Sequence, residues 1–349
     1  MSAQTREEGT EETPHPRATT LLLGHAAAEQ TMLAAYRDSR VPHAFLLAGP
    51  KGIGKATLAY RMARFVFAHP DPTAAEVAGA NSLAIDAVHP VARRIAAQAQ
   101  NDLLVLERTP NDKGVLRQQI AVDDVRRTVA FFGSTAGEGG WRIAIVDAVD
   151  ELNRSSANAL LKVLEEPPER ALLLLVCHSA ARVPATLRSR CRTVVLRPLD
   201  EADVAKAVAA ATDSGPDDPD VVAAAAASAG SVHRALALLD KDALALRKQA
   251  LDLLDGLPKL NANALHALGD ALAGTDPLRL TAFVDTVNAW LSQRLEGETV
   301  QRSEIGRLAR FAEAWETFNA AARDAETYNL ERKPFVFSAF GLLAEAARG

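Results

Sequence analysis

Gly49-Pro50-Lys51-Gly52-Ile53-Gly54-Lys55 stands between an apolar run, Ala44-Phe45-Leu46-Leu47, and a helical pattern formed by Leu58, Met62 and Phe65. Glycines at this spacing let backbone N–H groups curl around phosphates, a following helix N-terminus adds positive potential, and the closing lysine reaches the terminal phosphates. Strand, loop and helix in that order predict a P-loop. The position after the lysine should be Ser or Thr, whose hydroxyl ligates Mg²⁺, and it is Ala56. Thr57 comes one residue later, about 100° round the helix, and is expected to point away from the metal position.

Working outward, four further β-type runs alternate with helical patterns: Leu103 to Leu106, Arg142 to Val146, Leu172 to Val176 and Thr193 to Leu196. Five such runs between Leu21 and about Pro198 predict a parallel sheet with helices on both faces. The third run ends in Asp147, which fits the aspartate that holds Mg²⁺ through water. A glutamate that orients the attacking water should come next, and the residue is Ala148. Asp150 and Glu151 lie further on and read as a helix-capping pair. Gly49, Gly52, Gly54, Lys55, Thr57 and Asp147 are therefore assigned to a degenerate ATP site, expected to hold nucleotide without hydrolysis or to stand empty.

Beyond Pro198 no strand-like run appears. Residues 199–240 read as a small helical domain divided by the loop Asp213 to Asp220. From 241 to 349 the apolar positions recur at helical spacing, with Leu280, Phe283, Val287 and Trp290, then Leu308, Phe311, Trp315 and Phe318. These stripes are assigned to packing within a helical bundle.

Bulk composition narrows the function classes. A chain of 349 residues favours two or three domains. The net charge of −5 provides no global basic field, which argues against autonomous tight DNA binding. Cys177 and Cys191 are too few for a disulfide framework. The longest wholly apolar stretch, Ala171 to Cys177, is far short of the roughly 20 residues of a membrane span. Residues 1–18 read as a disordered tail without the apolar block of a secretory signal, and a cytoplasmic location is expected.

Two segments are far more specific than the P-loop. Ser155-Ser156-Ala157-Asn158-Ala159-Leu160-Leu161-Lys162-Val163-Leu164-Glu165-Glu166-Pro167-Pro168 and Val183-Pro184-Ala185-Thr186-Leu187-Arg188-Ser189-Arg190-Cys191 resemble the signatures of bacterial DNA polymerase III clamp-loader subunits, which are AAA+ proteins. The resemblance continues through Gly24-His25, Val41-Pro42-His43-Ala44, Gly230-Ser231-Val232-His233-Arg234-Ala235-Leu236 and Tyr328-Asn329-Leu330-Glu331-Arg332-Lys333. It implies a P-loop AAA+ domain (19–198), a helical lid domain (199–240) and an all-α collar domain for oligomerisation (241–349). It also implies that Arg190 is an arginine finger, acting in trans on the γ-phosphate of an adjacent subunit. In such relatives the gamma/tau subunit keeps both its ATPase residues and this arginine, the delta-prime subunit keeps the arginine over a degraded site, and delta lacks it. The chain shows the second pattern. His233 stands where gamma/tau has its sensor 2 arginine.

The implied partners are gamma/tau and delta subunits, with the sliding clamp and primed DNA reached through the complex. Activity would belong to the DNA polymerase III holoenzyme and not to the lone chain. Many relatives carry a four-cysteine zinc module, but the corresponding stretch, His69 to His89, has no cysteine, so no zinc is expected and both histidines read as loop residues. On the residues alone two other readings stay open, an ATP-hydrolysing gamma/tau-type subunit and a structural adaptor outside replication.

Overall fold

The computed structural model describes residues 15–38, 41–109, 119–120, 122–133, 140–212, 214–239, 241–273, 277–295, 305–327 and 330–348. The chain divides into two compact units, residues 1–235 and 236–349.

In the first unit, α1 (Ala26–Arg37) leads into β1 (Ala44–Ala48), which enters α2 (Lys55–Ala68) through the glycine loop. The short helices α3 (Ala75–Gly79) and α4 (Pro90–Ala96) precede β2 (Leu103–Glu107), α5 (Val122–Gly133) and β3 (Arg142–Asp147). A single 3₁₀ turn, Val149–Glu151, joins β3 to α6 (Arg154–Glu165), followed by β4 (Ala171–Cys177), α7 (Ala185–Arg188) and β5 (Arg192–Val195). All pairings are parallel in the order β2-β3-β4-β1-β5. Each expected strand is present within one residue of its predicted bounds.

The three central strands are buried on both faces, as their unbroken apolar runs demand. β4 is buried throughout, from Ala171 to Cys177. A well-buried leucine there contributes about 1.5–3 kcal/mol over an exposed one.

α6 starts on Asn153, whose side chain accepts from the Ser156 N–H, and its exit passes Glu166 into Pro167 and Pro168. Three more helices follow, α8 (Glu201–Thr212), α9 (Pro219–Ala227) and α10 (Val232–Leu238).

The stretch from His69 to His89 is tied down by polar side chains of α1. Glu29 accepts from the Leu83 N–H (2.8 Å) and from Arg61 (2.6 Å), while Arg37 donates to the carbonyls of Val77 and Ala80. His89 caps α4 by accepting from the Val91 N–H, and His69 packs on Phe65, in keeping with ordinary loop roles.

The expected tail is described from His15 onward, and there it differs from the reading. Residues 16–18 form a turn held to α2 by the buried Arg64, which donates to the carbonyls of Arg17 (2.7 Å) and Pro16 (3.3 Å). A buried guanidinium needs acceptors, and these carbonyls supply them.

The second unit contains α11 (Lys241–Asp255), α12 (Ala262–Leu272), α13 (Pro277–Leu295), α14 (Ile305–Thr327) and α15 (Arg332–Arg348). Phe283, Val287, Trp290, Phe311 and Phe318 all lie in its core, so the two aromatic stripes do serve packing. Tyr328 and Asn329 of the C-terminal motif, and Asp213 of the loop reading, lie outside the described residues. No helix among the described residues is long and apolar enough to cross a membrane.

Candidate functional site

Backbone hydrogen bonds tie the end of β1 to both neighbouring strands. The Gly49 N–H donates to the Cys177 carbonyl (3.2 Å), and the Leu196 N–H to the Ala48 carbonyl (2.8 Å). Gly54 caps α2 at φ 103°, a left-handed conformation that other residues rarely take. The Ile53 carbonyl faces the buried His25, whose Nε2–H donates to it over 2.6 Å, since a carbonyl only accepts. Burial lowers the His25 pKa, and the hydrogen bond to the Ile53 carbonyl opposes that shift.

Lys55 opens α2 and is 2% exposed. Its ammonium donates to the Pro50 carbonyl, within the loop. Burial lowers its pKa to about 8, against the opposing charges of Asp147 and Asp150. Asp147 lies at the end of β3, and burial raises its carboxyl to about 6, with the Glu151 charge adding to the rise and Lys55 opposing it. Gly49, Gly52, Gly54, Lys55 and Asp147 thus gather at the C-terminal edge of the sheet. Thr57 is half-buried on α2, and among the described residues no hydrogen bond joins it to Lys55 or Asp147. Ala56 follows Lys55 at the start of α2, and the buried Ala148 follows Asp147.

The outer face of the loop is covered. The His233 N–H lies 3.3 Å from the Gly52 carbonyl. A Cβ on Gly52 would meet Ser231 Oγ at 2.3 Å and His233 Cβ at 2.8 Å. The N-terminus of α10 therefore rests on the glycine loop, a contact that depends on Gly52 having no side chain.

Asp150 and Glu151 do not form the expected capping pair. Asp150 is 8% exposed and accepts from the N–H groups of His178 (2.9 Å) and Ser179 (3.1 Å), just past the end of β4. Glu151 forms an ion pair with Arg108 over 2.9 Å. The single 3₁₀ turn that carries them directs each carboxylate to a different long-range partner.

Arg190 is elsewhere. It lies between α7 and β5, where Nη1 donates to the Thr186 carbonyl (2.9 Å) and Nη2 is 3.0 Å from Glu165 Oε1. β1 and β5 run parallel with Phe45 opposite Arg192 and Ala48 opposite Val195. Arg190 therefore precedes β5 at one end of the paired strands, the glycine loop leaves β1 at the other end, and about 10 Å of strand length separates the two ends. The structure places the glycine-loop residues and Asp147 at the C-terminal ends of the strands and Arg190 at the opposite end, before β5.

The raised Asp147 carboxyl has a consequence for stability. An unfolded aspartate titrates near 3.8. Between about pH 4 and 6 the folded chain holds a proton that the unfolded chain has released, so stability falls as pH rises through that window. Asp147→Asn is expected to flatten this fall and to raise the unfolding free energy at neutral pH by about 1–3 kcal/mol. Denaturant titrations at both ends of the window check it, and a variant that keeps the parental slope rejects the assignment.

A family model described as "DNA polymerase III, delta subunit" matches residues 24–200. The DNA polymerase III subunit delta' of Pseudomonas aeruginosa is 37% identical over 149 residues, which cover 43% of this chain and 41% of that protein. The DNA polymerase III subunit tau/gamma of Haemophilus influenzae is 28% identical over 218 residues, 59% of this chain and 28% of that protein. The chain thus spans less than half the length of these relatives. Among solved structures, a gamma subunit-related protein of Thermotoga maritima covers 91% of this chain at 15% identity and a TM-score of 0.47.

Proposed function

Given that the chain belongs to the DNA polymerase III delta-subunit family, with delta' subunits among its relatives, we propose that it is a delta-prime-type clamp-loader subunit that lends Arg190 to a neighbour's ATP site. The observation that carries this reading is the separation of the two ends of the paired strands. A guanidinium that precedes β5 does not serve a phosphate loop that follows β1, so the phosphate it meets belongs to another chain. Arginines supplied in this way stabilise charge on the transferring phosphoryl group.

The chain's own cleft supports the complementary half. With Ala56 and Ala148 in place of a metal ligand and a water-orienting carboxylate, it is suited to holding ATP without turning it over. Asp150 and Glu151 are committed elsewhere and offer no substitute. Gamma/tau and delta subunits are the proposed partners, and the sliding clamp and primed DNA are reached through them. The first unit is read as a P-loop domain plus a lid starting after Pro198, and the helical second unit as the collar that holds the chain in the complex.

An ATP-hydrolysing role draws support from Lys55, Asp147 and the tau/gamma relative. The lone purified chain is expected to turn over no ATP with Mg²⁺ and to co-purify with gamma/tau- and delta-type subunits of its own source. Steady turnover by the lone chain that disappears in Lys55→Ala overturns the proposal.

A further inference from the structure

The ion pair that Arg190 makes within its own chain has chemistry of its own. Glu165 is the last residue of α6, where the exposed carbonyl end of a helix disfavours an anion. Local helix physics supplies no reason for a carboxylate there, but Arg190 does. The carboxylate oxygen lies 3.0 Å from Nη2, while Nη1 is taken by the Thr186 carbonyl. The side chains of Arg190 and Glu165 are 37% and 50% exposed, so the pair lies open at the surface and can be exchanged. A carboxylate oxygen on a guanidinium is the same contact, in charge and in geometry, that a phosphate oxygen makes.

We propose that Glu165 is a positioning residue that competes with nucleotide for Arg190, holding the guanidinium until the phosphates of the adjacent subunit displace it. This rests on the reading of Arg190 as a residue acting in trans. A phosphate brought against the same N–H groups meets the negative charge of Glu165, and the pair must open for the neighbouring site to be completed. Because the pair is exposed, the opposition it sets up is modest: exposed ion pairs correspond to a factor of about 1.5 to 5 in an equilibrium constant.

The test uses the complex reconstituted with gamma/tau- and delta-type subunits, titrated with a fluorescent, slowly hydrolysed ATP analogue. Glu165→Gln is expected to tighten binding at one site per complex by about 1.5- to 5-fold. In an Arg190→Ala background the same substitution is expected to shift nothing, because the competitor then has nothing to hold. A purely structural carboxylate shifts both backgrounds alike, and that outcome overturns the proposal, as does unchanged or weaker binding in Glu165→Gln alone. The two failures are distinguishable. Arg190→Ala complexes that bind and hydrolyse ATP like the parent reject the trans arginine itself. Impaired Arg190→Ala complexes with no gain from Glu165→Gln reject only the competition.

Discussion

If Arg190 acts in trans as proposed, Arg190→Ala in the assembled complex is expected to slow hydrolysis at a single site by about 10³-fold or more, the range that arginines supplied to a phosphoryl group contribute. Single-turnover measurements are the direct check, because the rapid phase should lose one nucleotide per complex while the other sites continue. Folding gives no competing explanation. Arg190 is 37% exposed and bonds only to Glu165 and the Thr186 carbonyl among the contacts described, so its removal should change unfolding by about 0.5 kcal/mol or less. Arg190→Lys should recover only part of the rate, since an ammonium lacks the planar fork that meets two oxygens together. A complex that keeps its full rapid phase with alanine at this position ends the case for a lent arginine.

The second large effect concerns Asp150. Its two oxygens accept from the N–H groups of His178 and Ser179, and at 8% exposure no water replaces them easily. Hydrogen bonds to a charged group each contribute about 1.5–3 kcal/mol, and a buried donor left without an acceptor adds a desolvation cost. Asp150→Ala is therefore expected to destabilise the first unit by about 3 kcal/mol, seen as a melting point roughly 6–12 °C lower. Glu151→Ala serves as the comparison. Its partner Arg108 is partly exposed, so its loss should cost about 1 kcal/mol or less. Equal stability of the two variants would show that the Asp150 clamp is not what holds the chain after β4.

Features with short-range or repetitive causes could be read from the sequence. The strands announced themselves because a parallel strand buried on both faces is an unbroken apolar run, as in Leu172 to Val176. The glycine loop was legible as a strand-to-helix turn because its glycines stand between an apolar run and a helical pattern, and Gly49, Gly52, Gly54, Lys55 and Asp147 lie at the strand ends where the order of elements puts them. The aromatic stripes of α13 and α14 were legible for the same reason of period.

What the sequence concealed has long-range causes. Asp150 finds its partners 28 and 29 residues away, so its short sequence context suggested a cap instead. Glu165 belongs to the signature helix, yet its partner arrives only after β4 and α7 have been laid down. The stitching of residues 69–89 by Glu29 and Arg37 uses backbone carbonyls and N–H groups, which carry no side-chain signature. The contact between Gly52 and the start of α10 spans nearly the whole first unit, and only the absence of a side chain at Gly52 hints at it.

The opposed ends of the strands give the molecule a direction. Whatever it offers leaves from one rim, and whatever it could accept enters at the other, so copies or cousins meeting through these rims line up nose to tail. In such an open file every member but the two at its ends must do both jobs. On the proposed reading, a chain that offers at one rim and no longer turns over nucleotide at the other loses nothing by standing last in the line.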